Sequence, residues 1–119
     1  MINAPISIGE LLDKISILHV KIDNGIEEAQ KELLLLEELV PSIPIAVEGL
    51  YNALKAIDSY CWMVEDNKRE CERQQDFDEH FIENARAVYI LNDERARLKK
   101  LINKYMNSDI SEHKGHKEY

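Results

Sequence analysis

One face of a predicted helix mixes charged and aromatic side chains at helical spacing. Its members are Tyr51, Asp58, Trp62, Glu65 and Arg69. Residues three, four or seven positions apart lie on the same side of an α-helix, so these side chains share one surface. Aromatic and guanidinium groups together suit a bound anion, a sugar or the side chains of a partner protein. The same set also suits a structural layer of ion pairs that fixes helix register, with Trp62 as a half-buried anchor.

Arg95 interrupts an apolar stripe in the last predicted helix. At steps of three and four the stripe contains Asn84, Val88, Leu91, Arg95, Leu98 and Ile102. A guanidinium that faces a core needs a carboxylate or several acceptors, because an unpaired buried charge is very costly. Folding the helices back on each other brings Arg95 to the level of Asp58, with Glu65 about two turns away. We expect Asp58 to be the first candidate partner of Arg95 and Glu65 to be the second.

The last helix should therefore place Tyr89, Asn92 and Arg95 opposite the mixed face. In the binding interpretation, Arg95 would hold an anionic or sugar-linked metabolite, and Asp58 or Glu65 would orient it or act as a base. In the structural interpretation, the same residues only pair with one another. The sequence leaves both interpretations open.

Several other chemistries lack their residue patterns. None of the four histidines follows a glutamate by three positions, as di-metal helical bundles require, and Cys61 and Cys71 lie ten apart without a CxxC motif. His113 and His116 have metal-ligand spacing but no second pair beside them. There is no glycine-rich phosphate loop and no serine or cysteine beside a plausible base. We expect no metal ion, no cofactor, no catalytic residues and, at a net charge of −8, no nucleic-acid partner.

The elements that must position these residues are helical. Glycine and proline are scarce, and the apolar residues recur at steps of three and four, which predicts an all-α fold. We predict one domain over residues 1–119, an antiparallel bundle of about three long helices. These span roughly 8–40, 44–73 and 78–107, followed by a mobile C-terminal tail.

The first helix has two possible forms. Its start is marked by Ser7 and Glu10, which are spaced as a capping box. The apolar stripe keeps its phase across Asn24 and Gly25, which favours one continuous helix over 8–40. The alternative is a tight turn at Asn24-Gly25 that gives four helices.

The oligomeric state is also open. Residues 33–36 are four consecutive leucines, so this helix is apolar over a wide arc. A homodimer would bury the second side of that arc, whereas in a monomer the other two helices would wrap around it. No apolar run approaches membrane-spanning length and no N-terminal leader is visible, so we expect a cytoplasmic protein without a membrane partner.

Three ordered segments resemble an uncharacterised family. Residues 6–18 contain an IGEL-x-DK pattern, residues 62–66 contain W-x-x-ED, and residues 85–103 contain NDERA-x-LK, followed by a Lys-x-Tyr ending. Together they resemble a family of short bacterial proteins known only as a domain of unknown function. The resemblance implies no activity, but it adds a secondary cluster, Glu10, Asp13 and Lys14. We expect this cluster to lie several turns from Arg95, nearer Arg69 and Phe81, so that the three segments form no joint site within one chain.

The leading functional hypothesis is a non-enzymatic, self-associating helical interaction module in the bacterial cytoplasm, with a dimer favoured and the protein partner unknown. It rests on the wide apolar helices and on the missing catalytic patterns. The alternative is a small-molecule binding protein or enzyme that uses Arg95 with Asp58 or Glu65.

Overall fold

The computed structural model describes residues 1–108 and 115–118. Its four α-helices are α1 (Ile8–Asp23), α2 (Gln30–Glu37), α3 (Ile45–Gln74) and α4 (Glu79–Tyr105). A short 3₁₀ helix at Glu27–Ala29 precedes α2, and no strand occurs in the described part of the chain. The predicted all-α class is confirmed. Much of the predicted mobile tail, residues 109–114 and 119, lies outside the described residues.

The single helix predicted over 8–40 is wrong, and the alternative turn at Asn24-Gly25 is correct. Helix α1 ends at Asp23, and Gly25 has a φ of 89°, in the left-handed region that favours glycine. The Asn24 side chain donates a hydrogen bond to the Val20 carbonyl oxygen over 2.8 Å. The apolar stripe keeps its phase because the segments on both sides of the turn pack on the same core.

The start of α1 is only partly the predicted capping box. Ser7 is the N-cap, and its hydroxyl oxygen accepts a hydrogen bond from the Glu10 N–H over 3.0 Å. The Glu10 carboxylate does not complete the box but lies 3.2 Å from the Lys99 ammonium on α4. The residue that was expected to cap α1 thus helps to join α1 to α4.

Helices α3 and α4 form a long hairpin, and α1 packs across both of them. The turn between them begins at Gln75, which has a φ of 54° and ends α3. The core lies where α1 and α2 meet this hairpin. Its most deeply buried side chains are Leu12, Leu33, Val47, Leu54 and Ile102. None of the described helices is both long and apolar enough to cross a lipid bilayer.

Candidate functional site

A buried ion cluster joins three helices. The Arg95 guanidinium of α4 lies between two aspartates, with Nη2 2.6 Å from Oδ2 of Asp13 on α1 and Nε 2.8 Å from Oδ1 of Asp58 on α3. Its third nitrogen, Nη1, donates to Oδ1 of Asn92 over 2.9 Å. Both aspartate side chains are 2% exposed and that of Arg95 is 22% exposed. The first predicted partner of Arg95, Asp58, is therefore correct.

Glu65, the second candidate partner of Arg95, pairs with other residues. Its carboxylate lies 3.1 Å from Arg69 and 3.5 Å from Lys68, both on α3 itself. The second partner is Asp13, which the sequence placed several turns away. That expectation was wrong because it extended the first helix over 8–40. With α1 ending at Asp23, its N-terminal half lies beside the C-terminal half of α4.

The close approach of α1 to α4 depends on Gly9. Its N–H donates to Oδ1 of Asn103 over 2.7 Å, and a Cβ at this position would lie 2.6 Å from the Lys99 carbonyl oxygen. Gly9 and Asp13 are four positions apart on α1, as are Asn103, Lys99 and Arg95 on α4, so the two rows run antiparallel in register. This register brings Asp13 to Arg95.

Lys99 extends the cluster towards the start of α1. Its ammonium lies 3.8 Å from Oδ2 of Asp13 and 3.2 Å from Oε2 of Glu10. The network of Glu10, Asp13, Asp58, Arg95 and Lys99 thus holds three carboxyl groups and two cations. Lys14, the third member of the secondary cluster, is exposed on α1 and joins none of the ion pairs of this network.

Asp58 accepts no well-aligned hydrogen bond in the described part of the chain. Both of its carboxyl oxygens, Oδ1 of Asp13, the hydroxyl of Ser16 and Nε of Arg95 are buried without such a bond among these residues. Nε of Arg95 and Oδ1 of Asp58 lie close together, but the N–H bond of Nε does not point at this oxygen. Buried polar atoms in this state carry a desolvation penalty.

The pKa of Asp58 is raised from 3.8 to about 7, first by burial and then by the neighbouring Asp13 carboxyl, which lies within hydrogen-bonding reach. The Ser16 hydroxyl and the Arg95 charge act in the opposite direction and lower this pKa. Two close carboxyl groups in a low-dielectric site do not both ionise readily. Asp58 therefore holds a proton up to near-neutral pH, beside Asp13.

A groove of about 380 Å³ opens next to this cluster. Its lining residues are Ile17, Val20, Asp58, Cys61, Trp62, Glu65, Asp66, Arg69 and Arg95. Helix α1 supplies an apolar wall, α3 supplies the aromatic and most of the charged groups, and α4 supplies Arg95. Burial also raises the pKa of the Cys61 thiol, which lines the groove from α3.

Five of the predicted site residues line this groove: Asp58, Trp62, Glu65, Arg69 and Arg95. Asn92 lies in an adjoining recess of about 180 Å³ and contacts Arg95. Tyr89 is exposed and is not part of the groove; it lines a separate recess together with residues 116–118.

Sequence reasoning missed the α1 wall of the groove and the Cys61 side chain. Cys61 lacks a CxxC motif and was not predicted as a site residue, although it directly precedes Trp62. Ile17 and Val20 could be found only by placing α1 against α3, which required the turn at Gly25. The signal for that turn, Asn-Gly, was present but was outweighed by the unbroken stripe.

No metal site is built into the described residues. Among them, no three histidine, cysteine, aspartate or glutamate side chains are grouped to hold an ion. Of the two histidines spaced for a metal, His113 lies outside the described residues and His116 is exposed.

The comparisons with known proteins place the chain in a family whose function is unknown. No curated protein and no solved structure matches it. The family of unknown function DUF6165 matches residues 2–118, which is nearly the whole chain, and agrees with the resemblance drawn from the three sequence segments. The chain is therefore a member of DUF6165, a family of unknown function.

Proposed function

We propose that this protein binds a small molecule in the groove between α1, α3 and α4. The observation that carries the proposal is Asp58, whose side chain is 2% exposed and lines the groove while both of its carboxyl oxygens lack an aligned donor among the described residues. A ligand with a hydrogen-bond donor would satisfy the oxygen that does not carry the Asp58 proton. Apolar contacts with a few convergent polar groups are typical of small-molecule sites.

The energetics of the ion cluster support a role beyond stability. Replacing a buried ion pair by apolar residues of similar volume is often neutral or stabilising, so such a pair alone explains little of a fold's stability. Here the pair lies at the wall of a groove and includes a carboxyl with a strongly raised pKa. Perturbed groups of this kind are enriched at functional sites.

The geometry assigns Arg95 a positioning part in this proposal. Its three nitrogens face Asp13, Asp58 and Asn92, so its charge is already directed at two carboxyl groups of the protein. Arg95 instead holds the two aspartates in place, and the ligand would contact Asp58 and the indole of Trp62. The proposal requires binding only and no chemical turnover.

Ligand binding can be followed at a single fluorophore. Trp62 is the one tryptophan of the chain and lines the groove, so a bound molecule should change its emission. We would screen a metabolite library by thermal shift and then titrate each stabilising compound against Trp62 fluorescence. We expect at least one compound to do both.

Two arginines of α3 provide a matched control. Arg69 lines the groove, pairs with Glu65 and has a side chain that is 66% exposed; Arg73 lies one turn further along, outside the groove, pairs with Glu70 and is 64% exposed. Arg69→Ala should change the affinity for a genuine groove ligand, whereas Arg73→Ala should not. Equal effects of the two variants, or no compound that shifts both readouts, would contradict the proposal.

Self-association is a second candidate function, supported by the exposed apolar side chains around α2. Leu34, Leu35, Leu39 and Ile45 are exposed by 56%, 41%, 65% and 86%. Only Leu33 of the four consecutive leucines is buried. A run of this kind on a soluble domain is typical of an interaction surface.

The occupant tested for this surface is a second copy of the chain. Light scattering coupled to size exclusion should give twice the monomer mass, and Leu39→Lys should return it to the monomer mass. Met63→Lys, an exposed apolar residue of α3, is the control. A monomer at high micromolar concentration would exclude a self-associating module.

A further inference from the structure

We propose that the ligand of this groove is an organic cation, a compound with a primary ammonium or guanidinium group on a short apolar body that binds beside Asp58. This inference rests on the proposed function and names the chemical class of the ligand.

The first argument is the balance of charge in the ion cluster. Three carboxyl groups meet two cations in the network that runs from Glu10 to Asp58. Glu10 is partly exposed, but around the Arg95 guanidinium two buried carboxyl groups face one cation, an excess of one negative charge if both ionise, which Lys99 offsets only from 3.8 Å on the Asp13 side. Either a proton or an external cation removes the excess.

The second argument is the charge that the groove presents to a ligand. Asp58, Glu65 and Asp66 line it, against Arg69 and Arg95. Both guanidinium groups already face carboxylates, Arg69 that of Glu65 and Arg95 those of the two aspartates. The lining therefore holds three carboxyl groups and two guanidinium groups that are already directed at carboxyl groups. A cationic donor fits it better than an anion.

The third argument is the shape and chemistry of the walls. Trp62 lines the groove, and an indole ring attracts a cation that lies over its face within about 6 Å of the ring centre. Ile17 and Val20 form the apolar wall from α1, which suits an alkyl or aromatic body.

The groups around Asp58 determine how a bound cation competes with its proton. They are Asp13 from α1, Arg95 from α4, and Tyr51 and Cys61 on α3 itself. A cation that binds beside the ionised form of Asp58 must compete with the proton. Affinity for the cation should therefore rise as the pH rises through about 7 and then level off.

The probe is a set of three compounds that share one body. Pentylamine, pentanol and pentanoate carry a cationic, a neutral and an anionic head group on the same chain, and the amine stays protonated across this pH range as a lysine side chain does. Calorimetry and Trp62 fluorescence would measure their affinities for the full-length protein. We expect pentylamine to bind in the millimolar range and about tenfold more tightly than the other two, which is about 1.4 kcal/mol.

Calorimetry in two buffers of different ionisation enthalpy would count the protons released. We expect release to approach one proton per pentylamine below about pH 7 and to vanish well above it. Asp58→Asn should lose the preference for the amine and the pH dependence. Asp23→Asn, an exposed carboxyl of α1 outside the groove, should keep both.

The outcomes separate this inference from the proposed function. If pentanol or pentanoate binds as tightly as pentylamine and changes Trp62 emission, the groove is a ligand site but the cationic class is wrong. If none of the three binds, the inference is also wrong, and the Arg69 and Arg73 variants then decide the proposed function with the compounds from the screen. If Asp58→Asn does not fold, the ranking of the three head groups on the wild-type protein still decides.

Discussion

Nη2 of Arg95 lies 2.6 Å from Oδ2 of Asp13, although 82 positions of the chain separate the two residues. This contact connects the first helix of the fold to the last. The same guanidinium reaches Asp58 on α3, so a single side chain of α4 holds two other helices. The groove beside it exists only while this arrangement persists.

Removal of the Arg95 side chain should therefore destabilise the fold. We expect Arg95→Ala to lower the free energy of unfolding by about 3–5 kcal/mol, because it leaves Asp13 and Asp58 buried without their cation. Urea unfolding followed by circular dichroism measures this loss. Arg97→Ala is the control: Arg97 is exposed and pairs with Glu94 within α4, so its removal should leave the free energy of unfolding almost unchanged. Similar losses for the two variants would show that the cluster contributes little.

Gly9 should tolerate no side chain. A Cβ there would lie 2.6 Å from the Lys99 carbonyl oxygen and 2.8 Å from Oδ1 of Asn103, so α1 and α4 would have to move apart. We expect Gly9→Ala to lower the free energy of unfolding by about 1–3 kcal/mol in the same urea experiment.

The control for this substitution is a glycine in open space. A Cβ on Gly49 of α3 would meet no described atom within 4 Å. Gly49→Ala should raise the free energy of unfolding by about 0.5–1 kcal/mol, because alanine loses less backbone entropy in a helix. If both glycine variants raise stability, the close packing of α1 on α4 is not a constraint.

Much of this architecture could be predicted from local pattern. The spans 44–73 and 78–107 differ from α3 and α4 by one or two residues at each end, because apolar periodicity and the flanking prolines and polar turn fix them locally. The pairing of Arg95 with Asp58 was also predictable. A guanidinium in an apolar stripe needs a carboxylate, and the hairpin brings Asp58 to the same level.

The contribution of α1 could not be predicted, since it depends on one backbone conformation. The stripe through Ile22, Ile26, Ala29 and Leu33 remains in phase because all four face the core, whether or not the helix is continuous. The positive φ of Gly25 shortens the helix and moves Asp13 beside Arg95. Periodicity records which residues are buried but not how the chain turns between them.

Gly25 itself is open to test. Alanine at a φ of 89° is strained, and the position has no described neighbour within 4 Å, so the effect reports the backbone alone. We expect Gly25→Ala to lower the free energy of unfolding by about 1–2 kcal/mol. Gly25→Asn should lose less, because asparagine adopts a positive φ more readily. An unchanged stability in Gly25→Ala would mean that the chain can pass from α1 to α2 without this turn.

The stability of the protein should depend on pH through Asp58. Its pKa is raised from 3.8 to about 7 by burial and then by Asp13, so the folded state holds this proton more tightly than the unfolded state. The folded state is therefore favoured most at acidic pH with respect to this group. That contribution to the free energy of unfolding is lost as the pH rises from about 4 through about 7. Above about pH 7, Asp58 causes no further change in stability.

Comparison with Asp58→Asn isolates this effect, because the amide cannot titrate. The free energy of unfolding of the variant, relative to wild type, should rise between about pH 4 and about pH 7 and then level off. Glu94→Gln is a control with the opposite pH dependence. The hydrogen bond from Arg97 lowers the pKa of the exposed Glu94. Wild type should therefore lose stability relative to this variant only as the pH falls below about 4.5. Chemical unfolding across this pH range gives both differences. If the Asp58→Asn difference is constant or falls as pH rises, Asp58 is ionised in the folded protein, and the competition between a proton and a cationic ligand loses its basis.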